Sequence, residues 1–86
     1  LAKAKRQLDS ALEALVRERL DGDEMILGWI ESRPGEVTVR LISEELHRVC
    51  APMAKKFGRG VGSGRSLTFR RQDGQWAFQG VGGWIS

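Results

Sequence analysis

Apolar and polar positions alternate along the chain in patterns that predict helices first and a hairpin last. Leu1, Ala4, Leu8, Ala11 and Leu15 follow three-four spacing, and Leu12, Val16 and Leu20 widen the stripe. That spacing predicts an amphipathic helix over residues 1–20, either packed on the domain core or continuing upstream to pair with another copy. Asp21-Gly22-Asp23 ends it. Gly22 suits a C-terminal cap, and Asp21 or Asp23 suits the N-cap of the next element. Met25, Ile26, Trp29 and Ile30 sit at helical spacing and predict a second, short helix over 24–31. Arg33-Pro34-Gly35 reads as a turn, because proline pre-sets φ and glycine allows φ > 0. Glu36-Val37-Thr38-Val39 reads two ways, as a very short strand or with Thr38 capping the next helix. Val39, Ile42, Leu46 and Val49 then line one face of a third helix. Pro52 lacks an N–H, so it is expected to end that helix and open a fourth, 51–57, with Met53, Ala54 and Phe57 inward.

Residues 58–66, Gly-Arg-Gly-Val-Gly-Ser-Gly-Arg-Ser, read as a loop or irregular extended segment. Beyond it, Ser66–Arg71 and Gln75–Gln79 flank Asp73-Gly74, the signature of a two-residue type I′ hairpin. Such a turn sets Arg71 opposite Trp76, Phe69 opposite Phe78 and Leu67 opposite Gly80. Thr68 and Arg70 then oppose Gln79 and Ala77. Leu67, Phe69, Trp76 and Phe78 fall on one face, as a half-buried hairpin requires. Trp29 and Trp76 are expected in the core. Trp84, after two glycines, either closes the core or stands as an anchor for a partner.

Eighty-six residues allow one domain, expected to span 1–86 with a core from residue 22 onward. A single cysteine, Cys50, excludes an intrachain disulfide. Secreted domains this small usually rely on disulfides or a metal, so a cytoplasmic or nucleoid-associated location is expected. His47 is the one histidine, and no Cys/His spacing suits zinc. No cofactor is expected. No apolar run approaches the roughly 20 residues of a membrane span. The helical pattern is already under way at Leu1, which reads as a module of a larger protein.

The formal net charge of +3 conceals segregation. Residues 21–46 carry Asp21, Asp23, Glu24, Glu31, Glu36, Glu44 and Glu45 against Arg33 and Arg40. Residues 47–71 carry Arg48, Lys55, Lys56, Arg59, Arg65, Arg70 and Arg71 and no acid. An acid-free basic run of that length can neutralise several phosphates. The glycines of 58–64 let backbone N–H groups approach an anion. Those seven cations are therefore the candidate nucleic-acid contacts. The plainer reading is a solubilising surface, with Arg71 covering Trp76. A phosphate-binding loop of the P-loop kind is excluded, because the spacing fails and Arg65 stands where lysine is needed. His47 and Cys50 are three apart on one helix, but Cys50 adjoins the apolar face and suits a small packed hydrophobe. With no acid pair, triad or metal set, no catalytic residue is assigned and the chain is read as a non-enzyme.

The order of elements resembles that of a winged helix-turn-helix domain over about residues 22–80. The resemblance rests on Glu24–Ile30, on Arg33-Pro34-Gly35-Glu36-Val37-Thr38-Val39, on Leu41-Ile42-Ser43-Glu44-Glu45-Leu46 and on the Asp73-Gly74 hairpin as wing. It implies an α+β fold: an N-terminal amphipathic helix, three short helices and a C-terminal β-hairpin wing. It further implies that Ala51–Phe57 enters the major groove of duplex DNA, with Met53, Lys55 and Lys56 outward, and that Arg70–Gln75 touches the backbone or minor groove. The glycine-rich stretch is longer than that pattern, and no glycine marks the turn at Val49–Ala51. Such domains are similar to DNA-binding modules of bacterial regulators and of phage or plasmid replication proteins. DNA is favoured over RNA because the aromatic residues fall on buried faces rather than on a stacking platform. The alternative is a protein-interaction module without nucleic acid, self-associating through residues 1–20 or through its opposed acidic and basic segments.

Overall fold

The computed structural model describes residues 7–57 and 62–85, apart from the side chains of Ala54 and Phe57. Six elements succeed one another: α1 (Ser10–Arg17), β1 (Glu24–Arg33), β2 (Glu36–Ser43), α2 (Glu44–Phe57), β3 (Ser63–Gln72) and β4 (Gln75–Ile85). The strands form one antiparallel sheet in the order β1-β2-β3-β4. The architecture is α+β, but two helices and a four-stranded sheet replace the expected four helices and wing. The winged-helix arrangement is thereby overturned.

Local chemistry explains each element. The Asp9 carboxylate accepts from the Ala11 and Leu12 amides at 2.9 and 3.3 Å and caps α1. Leu12 and Val16 are buried on the stripe that the spacing predicted. The helix stops at Arg17, short of residue 20, and Gly22 (φ 54°) carries the chain toward the sheet. Positions 1–6 of the expected helix lie outside the described residues.

The expected helix at 24–31 is instead β1. A bulge accounts for the misreading. Ile26 pairs with Leu41 and Gly28 with Arg40, so Leu27 is an extra residue in β1. The insertion resets the pleat, and Ile26 and Trp29, three apart, both pack on the core. Their spacing imitates a helix. Pro34-Gly35 makes the predicted turn, with Gly35 at φ 82°. In β2, Val37, Val39 and Leu41 alternate inward, so residues expected to open a third helix are strand.

The helix begins only at Glu44. The Ser43 hydroxyl accepts from the Leu46 amide at 3.0 Å, and the Asp23 carbonyl and carboxylate accept from the Glu44 and Glu45 amides. Asp23 is thus a cap, but for α2 rather than for the adjoining segment. α2 runs unbroken through Pro52. The proline removes one bond, to the Arg48 carbonyl; both residues are exposed, so water can reach the vacant acceptor. No separate recognition helix at 51–57 exists.

The β3–β4 hairpin matches its prediction at the turn, where Asp73 and Gly74 have φ 52° and 78°. Arg71 opposes Trp76, Phe69 opposes Phe78 and Arg70 opposes Ala77. The expected register then fails. Gln79 is an extra residue, so Thr68 opposes Gly80 and Leu67 opposes Val81.

One sheet face meets α1. Leu12, Val16, Val37, Val39, Leu41, Leu67 and Phe69 form the buried cluster, with Leu8, Leu15, Leu20, Ile26, Trp29 and Trp76 around it. The second face carries the intervening residues. α2 stands at one end of it, where Met25 shares an open, shallow groove with His47, Arg48, Ala51 and Lys55. No described helix is long and apolar enough to cross a membrane.

Candidate nucleic-acid interface

The pleat decides which cations are offered to solvent. Val37, Val39 and Leu41 point to α1, so Thr38 and Arg40 point to the second face. Phe69 also points to α1, so Thr68 and Arg70 share the second face with them. The Thr38 and Thr68 hydroxyls are 3.4 Å apart across the β2–β3 pair. Ser66, opposite Arg40, lies beside them. Arg40 and Arg70 are both exposed. Arg40 pairs with Ser66, four residues from Arg70, which sets the two cations about 13 Å apart along the strands.

Trp84 completes one end of this face. It opposes Gly64, where a Cβ would run into the Leu41 carbonyl oxygen and crowd the indole nitrogen. The Trp84 indole N–H donates to that carbonyl at 2.7 Å. The Arg40 guanidinium lies 5.6 Å from the indole ring, a cation–π contact that holds it over the face. Trp84 is therefore half-buried and tied down, on the side away from α1.

The six described candidate cations do not form one surface. Arg48, Lys55 and Lys56 are exposed on α2; Arg48 and Lys55 lie beside Met25 at the end of the second face, with Arg48 3.6 Å from Glu44. Arg70 is on the face itself. Arg71 lies on the α1 side, 5.7 Å from the Trp76 ring, the plainer role foreseen for it. Arg59 lies outside the described residues, as does the rest of 58–61 in the glycine run. Arg65 points to the α1 side and is engaged. Its Nε and Nη2 donate to the two Glu24 carboxylate oxygens at 2.9 and 2.6 Å. Nη2 also donates to the Arg19 carbonyl at 2.8 Å, with Asp21 at 3.7 Å. Bonding to Arg65 holds the Glu24 carboxyl below its ordinary range, against the opposing pull of burial. The same partner raises Arg65. Arg65 is a clamp between β1, β3 and the turn after α1.

Arg40 was absent from the candidates because the acidic bias of residues 21–46 hid it. The signal was local: in Val37-Thr38-Val39-Arg40-Leu41, strict alternation throws Arg40 to the face opposite the valines. Among the described residues of the sheet, Glu36 is the acid on this face; it lies directly across from Arg70, and Arg33 sits 3.1 Å from it. Among the described residues, no group of three His, Cys, Asp or Glu is placed to hold a metal ion. Cys50 is buried, as its position beside an apolar stripe implied. No protein-family model, curated protein or solved structure matches the chain.

Proposed function

We propose that the chain is a nucleic-acid-binding module that meets phosphates with the second face of its sheet. Arg40 and Arg70 supply the charge on either side of the Thr38–Thr68 pair, and Arg48 and Lys55 extend it from α2. The observation that carries the reading is the exposure of Arg40 and Arg70 beside the half-buried Thr38 and Thr68 hydroxyls, with Arg33 paired to Glu36. Arginine side chains and small hydroxyls are the usual donors to phosphate oxygens. Such contacts position a strand without reading its sequence, so the binding expected is weakly selective. The helix-in-groove mode implied by the winged-helix resemblance has no place in this scheme, because its helix is not a separate element.

The interaction-module alternative rested on opposed acidic and basic segments. Glu24 and Asp21 meet Arg65 within the same chain, and Glu44 meets Arg48. These bridges use acids and cations alike, which weakens a head-to-tail pairing of the opposed segments. The apolar stripe of α1 is likewise covered by the sheet.

Titration of labelled duplex and single-stranded DNA against a salt series tests the proposal. Binding at low salt should weaken with a log–log slope of about −0.9 per duplex phosphate neutralised, or about −0.7 for single strands. Charge reversal of Arg40 and Arg70 together should abolish binding while leaving the melting transition in place. Equal binding by that double variant, or none by the parent chain at low salt, would sink the idea.

A further inference from the structure

We infer that β4 pairs edge to edge with β4 of a second copy of the chain, joining two domains into one continuous sheet. Among the described residues, no strand lies along the outer side of β4. Backbone direction shows what that edge offers. The Arg71 amide donates to the Gly35 carbonyl at 2.7 Å, so the polar groups of Arg71 face β2. Every second residue along an antiparallel strand repeats that direction, so Phe69, Leu67 and Arg65 face β2 as well. Their partners Trp76, Phe78, Val81 and Gly83 therefore turn their N–H and C=O groups outward.

Edges of natural sheets are usually blunted by charge, proline or bulges. β1, the opposite edge, follows that rule, with Glu24, Glu31 and Arg33 and two breaks in register. β4 holds neither a charged residue nor a proline over its 11 residues. Its bulge sits at Gln79, and from Gly80 to Ile85 the pairing with β3 is regular. Gly80, Gly82 and Gly83 put no side chain in the way of an approaching strand. Val81 and Ile85 are 57% and 85% exposed.

A second copy is the partner this edge fits. An uncharged strand brings no like charges together when paired antiparallel with itself, and it gives a charged strand nothing to complement. A two-fold axis normal to the sheet then keeps Val81 of both copies on the α1 side of the joined sheet. It also leaves Arg40 and Arg70 of both copies on the same side of an eight-stranded sheet. Pairing of this kind is independent of nucleic acid.

Sedimentation velocity of the nucleic-acid-free chain, up to about 1 mM, tests the inference together with amide hydrogen exchange. A concentration-dependent dimer is expected, with the Val81 and Gly83 amides slowed about ten-fold or more between dilute and concentrated samples. Val81→Lys should stay monomeric at the top concentration with an unchanged circular dichroism spectrum. Leu27→Lys, on the opposite edge, should dimerise like the parent. A monomer at every concentration overturns the inference. So does a dimer that Val81→Lys leaves intact, or one whose added protection falls on β1 amides. Because the exchange pattern is read on the parent chain, a variant that fails to fold does not blunt the test.

Discussion

Loss of the Arg65 clamp should appear as lost stability rather than lost binding. Arg65→Met keeps the side-chain stem but removes the two-pronged bond to Glu24 and the bond to the Arg19 carbonyl. The side chains of Glu24 and Arg65 are 13% and 33% exposed, so the abandoned carboxylate stays half-sheltered. Breaking a fully buried pair costs about 3–5 kcal/mol. Water screens this one, and one to two charge-assisted bonds at about 1.5–3 kcal/mol each set the scale. The expected loss is about 2–3 kcal/mol, which for a domain this small lowers the melting temperature on the order of 10 °C. The loss should also depend on pH. The folded Glu24 carboxyl ionises below its unfolded value of about 4.3. The pair's contribution is complete above that unfolded value and disappears as pH falls through the lower folded one. Chemical denaturation of the parent, Arg65→Met, Glu24→Gln and the double variant at pH 7 and near pH 3 measures this directly. The coupling energy at pH 7 should exceed about 1 kcal/mol and shrink in acid. A coupling below about 0.5 kcal/mol, or one equal at both pH values, would refute the clamp.

Two further substitutions probe the fold. Pro52→Ala should stabilise the domain by about 1–3 kcal/mol, since proline is unfavourable within an exposed helix interior; a neutral result in urea denaturation would mean that a helix starts there instead. Gly64→Ala should cost about 1–3 kcal/mol or more by driving a methyl group into the Leu41 carbonyl, and should shift Trp84 fluorescence as the indole is displaced. Unchanged stability and emission would contradict the packing of Trp84 on Gly64.

Much of the local structure was legible from residue order alone. Pro34-Gly35 and Asp73-Gly74 announced their turns, because their backbone angles suit few other residues. The α1 stripe, the inward Trp76 and Phe69, and the buried Cys50 could be read from spacing. Two bulges defeated the same reasoning elsewhere. An extra residue at Leu27 made a strand look helical, and one at Gln79 exchanged Gly80 for Val81 opposite Leu67. A bulge is stabilised by the partner strand, and no window of a single strand records it. Charge behaved likewise. Composition located seven cations between residues 47 and 71, but the pleat alone decided that Arg65 turns inward to Glu24 while Arg70 turns out. By itself, then, the sequence determined the turns, the apolar stripe of α1 and the presence of a basic segment, which are local properties. Tertiary structure decided the sheet, the unbroken α2 and the membership of the basic face. Those depend on pairing between residues up to 40 or so apart, where each residue's direction is set by a neighbour that is not adjacent in the chain.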